Sequence, residues 1–353
     1  MKTQNRRTKK TFTSKWSVIL MLPLLISFVG CSPKESETTG NYEKGILILN
    51  EGLFNSGTAD ITHYLNNITQ QNVFSQTNNR PLGDIGQSMT YYDGKYYIVV
   101  NNSNKIEVVD MDFVSIAAFE NLTLPRYIQF ANGKGYVSSW ANDGQVYVIE
   151  PATGAVLKTI STDPGSEKML LHDNMLYVAN SGGYGSSNTI SIINTNTDSV
   201  EVTLEVGSNP IDLVIDTQRN LWVLLAGQYD ASWTEVEGAG LVKIAPQTNQ
   251  ILETIAFESS TGTANSLCTN GQDLFYNYNG GIHKMSIDAT IAPSAPAISG
   301  QFYKLYLNAS KLYACDAGDY STPGKVLIYN QTEQLATDTI HAGITPSYIL
   351  FRN

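Results

Sequence analysis

Aromatic and amide side chains are concentrated in short segments that each follow a run of β-forming residues. The segments include residues 50–55, 140–143, 180–184, 228–233 and 316–320. Such side chains offer flat apolar surfaces and neutral hydrogen-bonding groups, and very few cations lie among them. This composition indicates a binding surface for a large, flat or sugar-like ligand that is mostly neutral.

The candidate ligand-binding residues are taken from these segments and from the strand starts next to them. They are Phe54, Arg80, Asn102, Arg126, Trp140, Asn142, Tyr184, Tyr229, Trp233, Tyr320 and Tyr348. Asn, Gly and Asp also favour tight turns, so the amides alone are weak support for binding. Tyr229 and Trp233 share the longest loop and are harder to explain by turn formation, which favours binding over simple capping there.

Catalytic and metal-binding patterns are missing from the sequence. The four histidines, at positions 63, 172, 283 and 341, fall at unlike places in the chain's repeat, so they are not expected to converge on one metal or nucleophile. No zinc-protease, nucleophile-elbow, phosphate-loop or dinucleotide motif is present. We therefore expect no enzyme activity, no metal and no cofactor. One alternative is a lactonase-type hydrolase with calcium held by Glu51, Asn142, Asp230 and Asp316.

A repeat of about 40 residues positions these segments. Seven units align on an aliphatic or aromatic residue of their opening strand, at Leu47, Tyr97, Tyr136, Tyr177, Trp222, Phe275 and Tyr313. Each unit contains period-two alternation broken by turn residues, which is typical of short antiparallel strands. Four strands in such a repeat predict one blade of a β-propeller. The sequence therefore predicts an all-β, seven-bladed propeller over residues 44–353.

The two ends of the repeat array complement each other. Residues 345–351 match the inner-strand segments of other units, but no opening strand follows them. The first unit begins at residue 45 with no inner strand before it. We expect the C-terminal strand to become the inner strand of the first blade, which would remove exposed sheet edges.

The N-terminus has the pattern of a secretory signal. Residues 1–30 contain six basic residues, no acidic residue and an apolar run from Trp16 to Val29. Cys31 follows Phe28-Val29-Gly30, which resembles a bacterial lipobox and implies lipidation of Cys31. An ordinary signal peptide with a chance cysteine is the alternative.

The segment from residue 31 to 43 is polar and predicts a flexible tether. Glu35 and Glu37 beside Lys34 resemble the export signal of Bacteroidetes surface lipoproteins, which implies exposure at the cell exterior; a periplasmic orientation is the alternative. Removal of residues 1–30 changes the net charge from −10 to −16. This charge disfavours nucleic acid and anionic lipid as partners, so the membrane is contacted only through the lipid anchor.

Two further cysteines lie in the repeat array. Cys268 falls in an inner-strand segment, and Cys315 falls just beyond an opening strand of the next blade. A disulfide between them is conceivable in an oxidising compartment, but two buried free thiols are favoured.

Several phrases of the chain resemble known propeller families. Leu176-Tyr-Val-Ala-Asn180 and Gly207-Ser-Asn-Pro-Ile211 resemble the YncE/YVTN-type repeat family. Leu49-Asn-Glu-Gly52 and Arg80-Pro-Leu-Gly-Asp84 are similar to BtuG-like surface lipoproteins of Bacteroidetes. Members of that group capture cobalamin (vitamin B12) and sit over a TonB-dependent transporter of the outer membrane.

The resemblance implies a non-enzymatic, lipid-anchored outer-membrane protein that captures cobalamin or a related corrinoid and delivers it to such a transporter. A corrin ring has a broad apolar face, a rim of neutral amides and a single phosphodiester charge, and the candidate residues match these features. A surface platform for proteins or glycans is the main alternative, and the lactonase-type hydrolase is the other.

Overall fold

The computed structural model describes residues 41–230, 232, 234–258, 264–331 and 333–352. The signal segment, Cys31, most of the tether and Trp233 lie outside the described residues. Within them, seven four-stranded antiparallel sheets form the blades of a propeller, which confirms the predicted fold class.

Blades 1 to 4 are numbered in chain order, and each strand is given from the axis outwards. Blade 1 has β30 (Pro346–Arg352), β1 (Gly45–Asn50), β2 (Asp60–Leu65) and β3 (Ile68–Gln70); blade 2 has β4 (Gly86–Tyr92), β5 (Lys95–Val100), β6 (Lys105–Val109) and β7 (Ser115–Phe119); blade 3 has β8 (Pro125–Ala131), β9 (Lys134–Ser139), β10 (Gln145–Ile149) and β11 (Val156–Ser161); blade 4 has β12 (Ser166–His172), β13 (Met175–Asn180), β14 (Thr189–Asn194) and β15 (Ser199–Glu205).

Blades 5 to 7 follow the same order, with one inserted ribbon. Blade 5 has β16 (Pro210–Ile215), β17 (Leu221–Leu225), β20 (Gly240–Ala245) and β21 (Gln250–Ala256), with the ribbon β18 (Gln228–Tyr229) and β19 (Glu235–Glu237) between β17 and β20; blade 6 has β22 (Ser266–Thr269), β23 (Asp273–Tyr278), β24 (Gly281–Ser286) and β25 (Ile298–Ser299); blade 7 has β26 (Lys304–Asn308), β27 (Lys311–Asp316), β28 (Pro323–Asn330) and β29 (Asp338–Ile344).

Ring closure follows the prediction from the repeat. The C-terminal strand β30 pairs antiparallel with β1, with Leu350 opposite Leu47 and Arg352 opposite Gly45. It is the inner strand of blade 1, so the first and last parts of the chain form one sheet.

Burial explains the strand sequences. The second strand of each blade is packed on both faces by neighbouring blades, and β17 is buried at all five positions of Leu-Trp-Val-Leu-Leu. The outer strands are more exposed, and β15 alternates between half-buried and exposed positions over Val-Glu-Val-Thr-Leu-Glu. Seven apolar clusters fill the seven contacts between adjacent blades, including the contact between blades 7 and 1.

Two features at the start of the ring depart from the plain repeat. Helix α1 (Val73–Asn78) connects blade 1 to blade 2 and buries Val73 and Phe74 completely. Tyr42, which the sequence placed in the tether, is only 7% exposed and packs edge-on against Phe113 with ring centroids 5.2 Å apart. The propeller therefore already includes Tyr42. An isolated aromatic residue in a polar segment carries no periodicity, so the pattern could not predict this contact.

Both cysteines of the propeller are free and buried, as the favoured interpretation expected. Burial in apolar surroundings raises the pKa of both thiols. Of the helices in the described ranges, none is long and apolar enough to cross a lipid bilayer.

Candidate functional site

One face of the ring collects the segments that the sequence singled out. Antiparallel pairing places the start of each inner strand at the same end of the blade as the loop between the second and third strands. We call this end the upper face. It carries the loops that follow β1, β5, β9, β13, β17, β23 and β27.

A pocket of about 400 Å³ opens on the upper face beside the ring axis. We call it the funnel pocket. Its lining comes from blades 3 to 7 and includes Arg126, Trp140, Glu167, Asn209, Tyr229 and Lys304. Backbone from Gly183, Gly185 and Gly227 completes the wall. The pocket therefore combines two aromatic rings, amides and exposed peptide groups, which suits a ligand with many hydrogen-bonding groups.

The Arg126 cation of the funnel pocket is already paired. Arg126 forms two hydrogen bonds to Glu167, from Nε at 2.7 Å and from Nη2 at 2.8 Å. Its guanidinium also lies 4.1 Å from the ring centre of Trp140. Burial opposes the charge on Arg126, but the Glu167 carboxylate more than offsets this and raises the pKa of Arg126. The pair thus holds the Trp140 ring in a fixed position without leaving a strong net charge beside it.

A second, smaller cleft also has Trp140 in its wall. It measures about 280 Å³ and is lined by Trp140, Asp143, Tyr184 and the glycine-rich turn of residues 182–185. Gly165 is essential for this shape, because a Cβ on it would lie 2.0 Å from the nitrogen of Gly183, and its φ is +76°. The Trp140 indole nitrogen is buried and has no hydrogen-bond partner among the described residues.

Exposed aromatic rings are confined to the upper face in the described part of the chain. They are Phe54, Tyr184 and Tyr320, which are 70%, 85% and 55% exposed. They lie in the loops that follow β1, β13 and β27. Exposed aliphatic side chains such as Ile291 and Leu335 occur elsewhere, but the exposed aromatic rings are grouped on this face, which makes it the candidate contact surface.

Glu51 and Tyr303 form a polar contact on the same face. The Tyr303 hydroxyl lies within hydrogen-bonding distance of both carboxylate oxygens of Glu51, at 3.0 and 3.2 Å. The Tyr303 ring packs edge-on against Tyr320, with centroids 5.6 Å apart. Burial raises the pKa of Glu51 above its usual value of 4.5, although Tyr303 and the nearby cations act in the opposite direction.

Replacing Glu51 by Gln is expected to stabilise the protein at pH 7. A carboxyl whose folded-state pKa is raised favours folding below its unfolded pKa and loses that contribution as the pH rises. Gln keeps an acceptor for Tyr303 but carries no charge. Urea unfolding at pH 4 and pH 7 should therefore show a gain for Glu51→Gln that is larger at pH 7. A gain of equal size at both pH values would contradict the assignment.

Four candidate residues meet at this site. Arg126, Trp140 and Tyr229 line the funnel pocket, and Tyr184 contacts Trp140 edge-on with centroids 5.4 Å apart. Phe54 and Tyr320 lie on the upper face outside the pocket wall. Trp233, in the same loop as Tyr229, lies outside the described residues.

The remaining candidates do not line the funnel pocket. Arg80 is bound to the buried Glu107 carboxylate, with Nη2 2.5 Å from Oε1, and its guanidinium lies 4.9 Å from the Phe74 ring centre. The Asn102 amide nitrogen donates to Asp84 at 2.5 Å. Asn142 donates to Gln145 at 3.2 Å. Tyr348 lies on the inner strand β30, deeper along the axis.

Glu167 and Lys304 are pocket residues that the candidate set lacked. Glu167 follows the first residue of β12, and Lys304 is the first residue of β26. Arg126 occupies the corresponding start of β8. The sequence therefore did contain an indication of these two residues. A charged residue at a strand start next to the axis is costly to bury unless it pairs with another charge or faces a cavity.

Three of the residues that the lactonase-type alternative assigns to calcium each bind a different partner within the protein. Asp230 accepts the backbone N–H groups of Ser232 and Thr234, and Asp316 lies 3.4 Å from Lys325. Glu51 is bound to Tyr303. Over the described ranges, no three His, Cys, Asp or Glu side chains are grouped as metal ligands would be.

Comparison with known proteins extends these observations. The chain is similar in structure to hydrazine synthase of Kuenenia stuttgartiensis, with a TM-score of 0.58 and 12% identity over 74% of this chain and 88% of that chain. It is also similar to the computationally designed Ika8 protein, with a TM-score of 0.58 and 10% identity over 87% of this chain and 88% of that chain. At such identities the likeness shows the fold alone.

Sequence comparison identifies the family. Curated protein sequences gave no match. The profile of a family described as a domain of unknown function, DUF5074, matches residues 44–345, which is nearly the whole propeller. The chain therefore belongs to the DUF5074 family.

Proposed function

We propose that this protein binds cobalamin or a related corrinoid on the upper face of the propeller and has no catalytic role. We further propose that it is anchored in the outer membrane through Cys31, faces the cell exterior and delivers its ligand to a TonB-dependent transporter. The observation that carries the proposal is the restriction of exposed aromatic rings to the upper face, around a pocket with a fixed indole ring.

The chemistry of a corrinoid suits this surface. The funnel pocket, at about 400 Å³, has room for part of such a ligand, and the rest would lie on Phe54, Tyr184 and Tyr320. Amide groups at the ligand's rim would bond to Asn209, Asn265 and the glycine backbone. Glu167 neutralises Arg126, so Lys304 is the cation of the lining that would face the single phosphodiester charge of the ligand. A rigid ring of blades would also limit the entropy lost on binding.

Calorimetric titration with cyanocobalamin tests the proposal. We expect one ligand to bind per chain, and its red absorbance to co-elute with the protein in gel filtration. Trp140→Ala should weaken binding about thirtyfold, because truncation of a central aromatic residue typically costs about 2 kcal/mol. Tyr184→Ala should weaken it less.

Leu157→Ala is the matched control, since Leu157 is 55% exposed on the outer strand β11 and lies away from the upper face. Its affinity should equal that of the unmodified protein. Absence of both heat and co-elution at micromolar concentrations would reject the corrinoid and favour a glycan or protein platform on the same face.

A further inference from the structure

A second cavity occupies the ring axis below the funnel pocket. It measures about 350 Å³ and is lined by residues of the inner strands of blades 3 to 7. We call it the channel cavity. Ile211 and Lys304 belong to the walls of both spaces, so the two adjoin. The proposed corrinoid site does not use the channel cavity, so a ligand in this cavity is independent of corrinoid binding.

Along β12 and β16 the lining of the channel cavity changes from polar to aliphatic with depth. All inner strands start at the upper face, so residues later in each strand lie deeper. Lys168 precedes Leu170 in β12, and Asp212 precedes Val214 in β16. Two residues of a strand span about 7 Å. The cavity thus has a polar layer near the funnel and an aliphatic layer below it.

The Lys168 ammonium group in the polar layer has no hydrogen-bond acceptor among the described residues. Its closest carboxylate oxygen is Oδ1 of Asp212, at 4.0 Å. That carboxylate is already held by the backbone N–H groups of Leu213 at 2.9 Å and Leu267 at 3.0 Å. The ammonium lies instead 5.1 Å from the ring centre of Tyr127 and 5.8 Å from that of Tyr348. The Lys168 side chain is 24% exposed and lines the cavity, so its ammonium is free to donate to a ligand there.

Tyr127 offers a second donor at the same level. Its side chain is 8% exposed and lines the channel cavity. Its hydroxyl makes no hydrogen bond within the described ranges, whereas Tyr306, in the same wall, donates to the carbonyl of Ser347 at 2.8 Å. Burial raises the pKa of Tyr127, so the hydroxyl keeps its proton. Burial opposes the charge on Lys168, but Asp212 and the neighbouring groups raise the pKa of Lys168, so the ammonium stays charged.

We propose that the channel cavity binds a monocarboxylate with a short aliphatic chain. The carboxylate accepts hydrogen bonds from the Lys168 ammonium and the Tyr127 hydroxyl, and the alkyl chain contacts Leu170, Val214 and Leu307. Hydrogen bonds to charged groups are among the stronger ones in proteins. The aliphatic layer favours this ligand over inorganic anions, because inorganic anions have no alkyl chain to bury there.

Titration of the full-length protein with acetate, butyrate, hexanoate and inorganic phosphate tests the proposal. Affinity should rise about fourfold for each added methylene until the cavity is filled, since each buried methylene contributes about 0.8 kcal/mol. Phosphate should bind weakly or not at all. Lys168→Met keeps the side-chain length without the charge, and it should weaken hexanoate binding by about tenfold or more. Tyr127→Phe should weaken it by a smaller factor.

Lys325→Met is the matched control, because Lys325 pairs with Asp316 on the second strand of blade 7 and does not line the channel cavity. It should leave hexanoate binding unchanged. If Lys168→Met fails to fold, hexanoate binding by Tyr127→Phe is the deciding measurement. The proposal is overturned if none of the carboxylates binds, if phosphate binds as tightly as hexanoate, or if the folded channel variants bind hexanoate as tightly as the unmodified protein.

Discussion

A chain that ends after Thr345 should fail to fold into a stable propeller. This truncation removes β30, which supplies the inner strand of blade 1 and pairs along the whole length of β1. It also removes Ile349 and Phe351 from the cluster that packs blade 7 against blade 1. Each buried side chain of this size contributes about 1.5–3 kcal/mol, and the lost strand pairing adds to that. The total is comparable with the whole stability of a typical domain, about 5–15 kcal/mol.

Urea unfolding followed by circular dichroism, together with limited proteolysis, would measure this effect. The truncated chain should show no cooperative transition and rapid cleavage. A synthetic peptide of residues 345–353, added in excess, should restore protection by pairing with the exposed edge of β1. A peptide of scrambled sequence should not. A truncated chain that unfolds like the full-length protein would show that ring closure contributes little.

Removal of Glu167 should have the second-largest effect. The side chains of Arg126 and Glu167 are only 14% and 9% exposed. Glu167→Leu leaves the guanidinium in the funnel wall without its carboxylate. Breaking a buried ion pair from one side typically costs about 3–5 kcal/mol. We expect a loss near the lower end, about 3 kcal/mol, because the Trp140 ring still covers one face of Arg126. Equilibrium unfolding in urea would measure it.

The double variant Arg126→Met with Glu167→Leu is the informative control. Replacing both partners by apolar residues of similar size leaves no unpaired charge, so stability should return to within about 1 kcal/mol of the unmodified protein. Corrinoid binding would be weakened in both variants if the pair positions Trp140. A single variant that loses less than about 1 kcal/mol would show that Arg126 finds another partner or reaches water.

The funnel site was only partly predictable from the sequence. The residues that were wrongly assigned to it, or left out, have physical explanations. Arg126, Trp140 and Tyr229 were selected by their position in the repeat, and all three line the pocket. Arg80 was selected by the same criterion, but helix α1 lengthens the connection to blade 2, and β4 begins only at Gly86. Arg80 therefore meets Glu107 on β6 instead of the pocket. The helix is only six residues long and has no periodicity that would have predicted it.

Glu167 was missed for a different reason. Its function depends on Arg126, which lies 41 residues earlier in the neighbouring blade. Its charge at the start of β12 was a signal in the sequence, but no local pattern indicates that two strand starts of adjacent blades bring these side chains together. No local pattern predicts the surroundings of Lys168 either, because they come from blades 1, 3 and 5.

Local sequence patterns were enough to predict the seven blades, their strand order, the closure by the C-terminal strand and the side on which the aromatic loops gather. These features follow from period-two alternation and turn residues, which act within a few residues of one another. The side chains that meet around the axis, in contrast, are known only from the folded ring. Their contacts depend on packing between blades, where side chains distant in the sequence occupy one space and burial determines which charges must pair. The Arg126–Glu167 pair and the Lys168 ammonium without an acceptor are therefore properties of the closed ring.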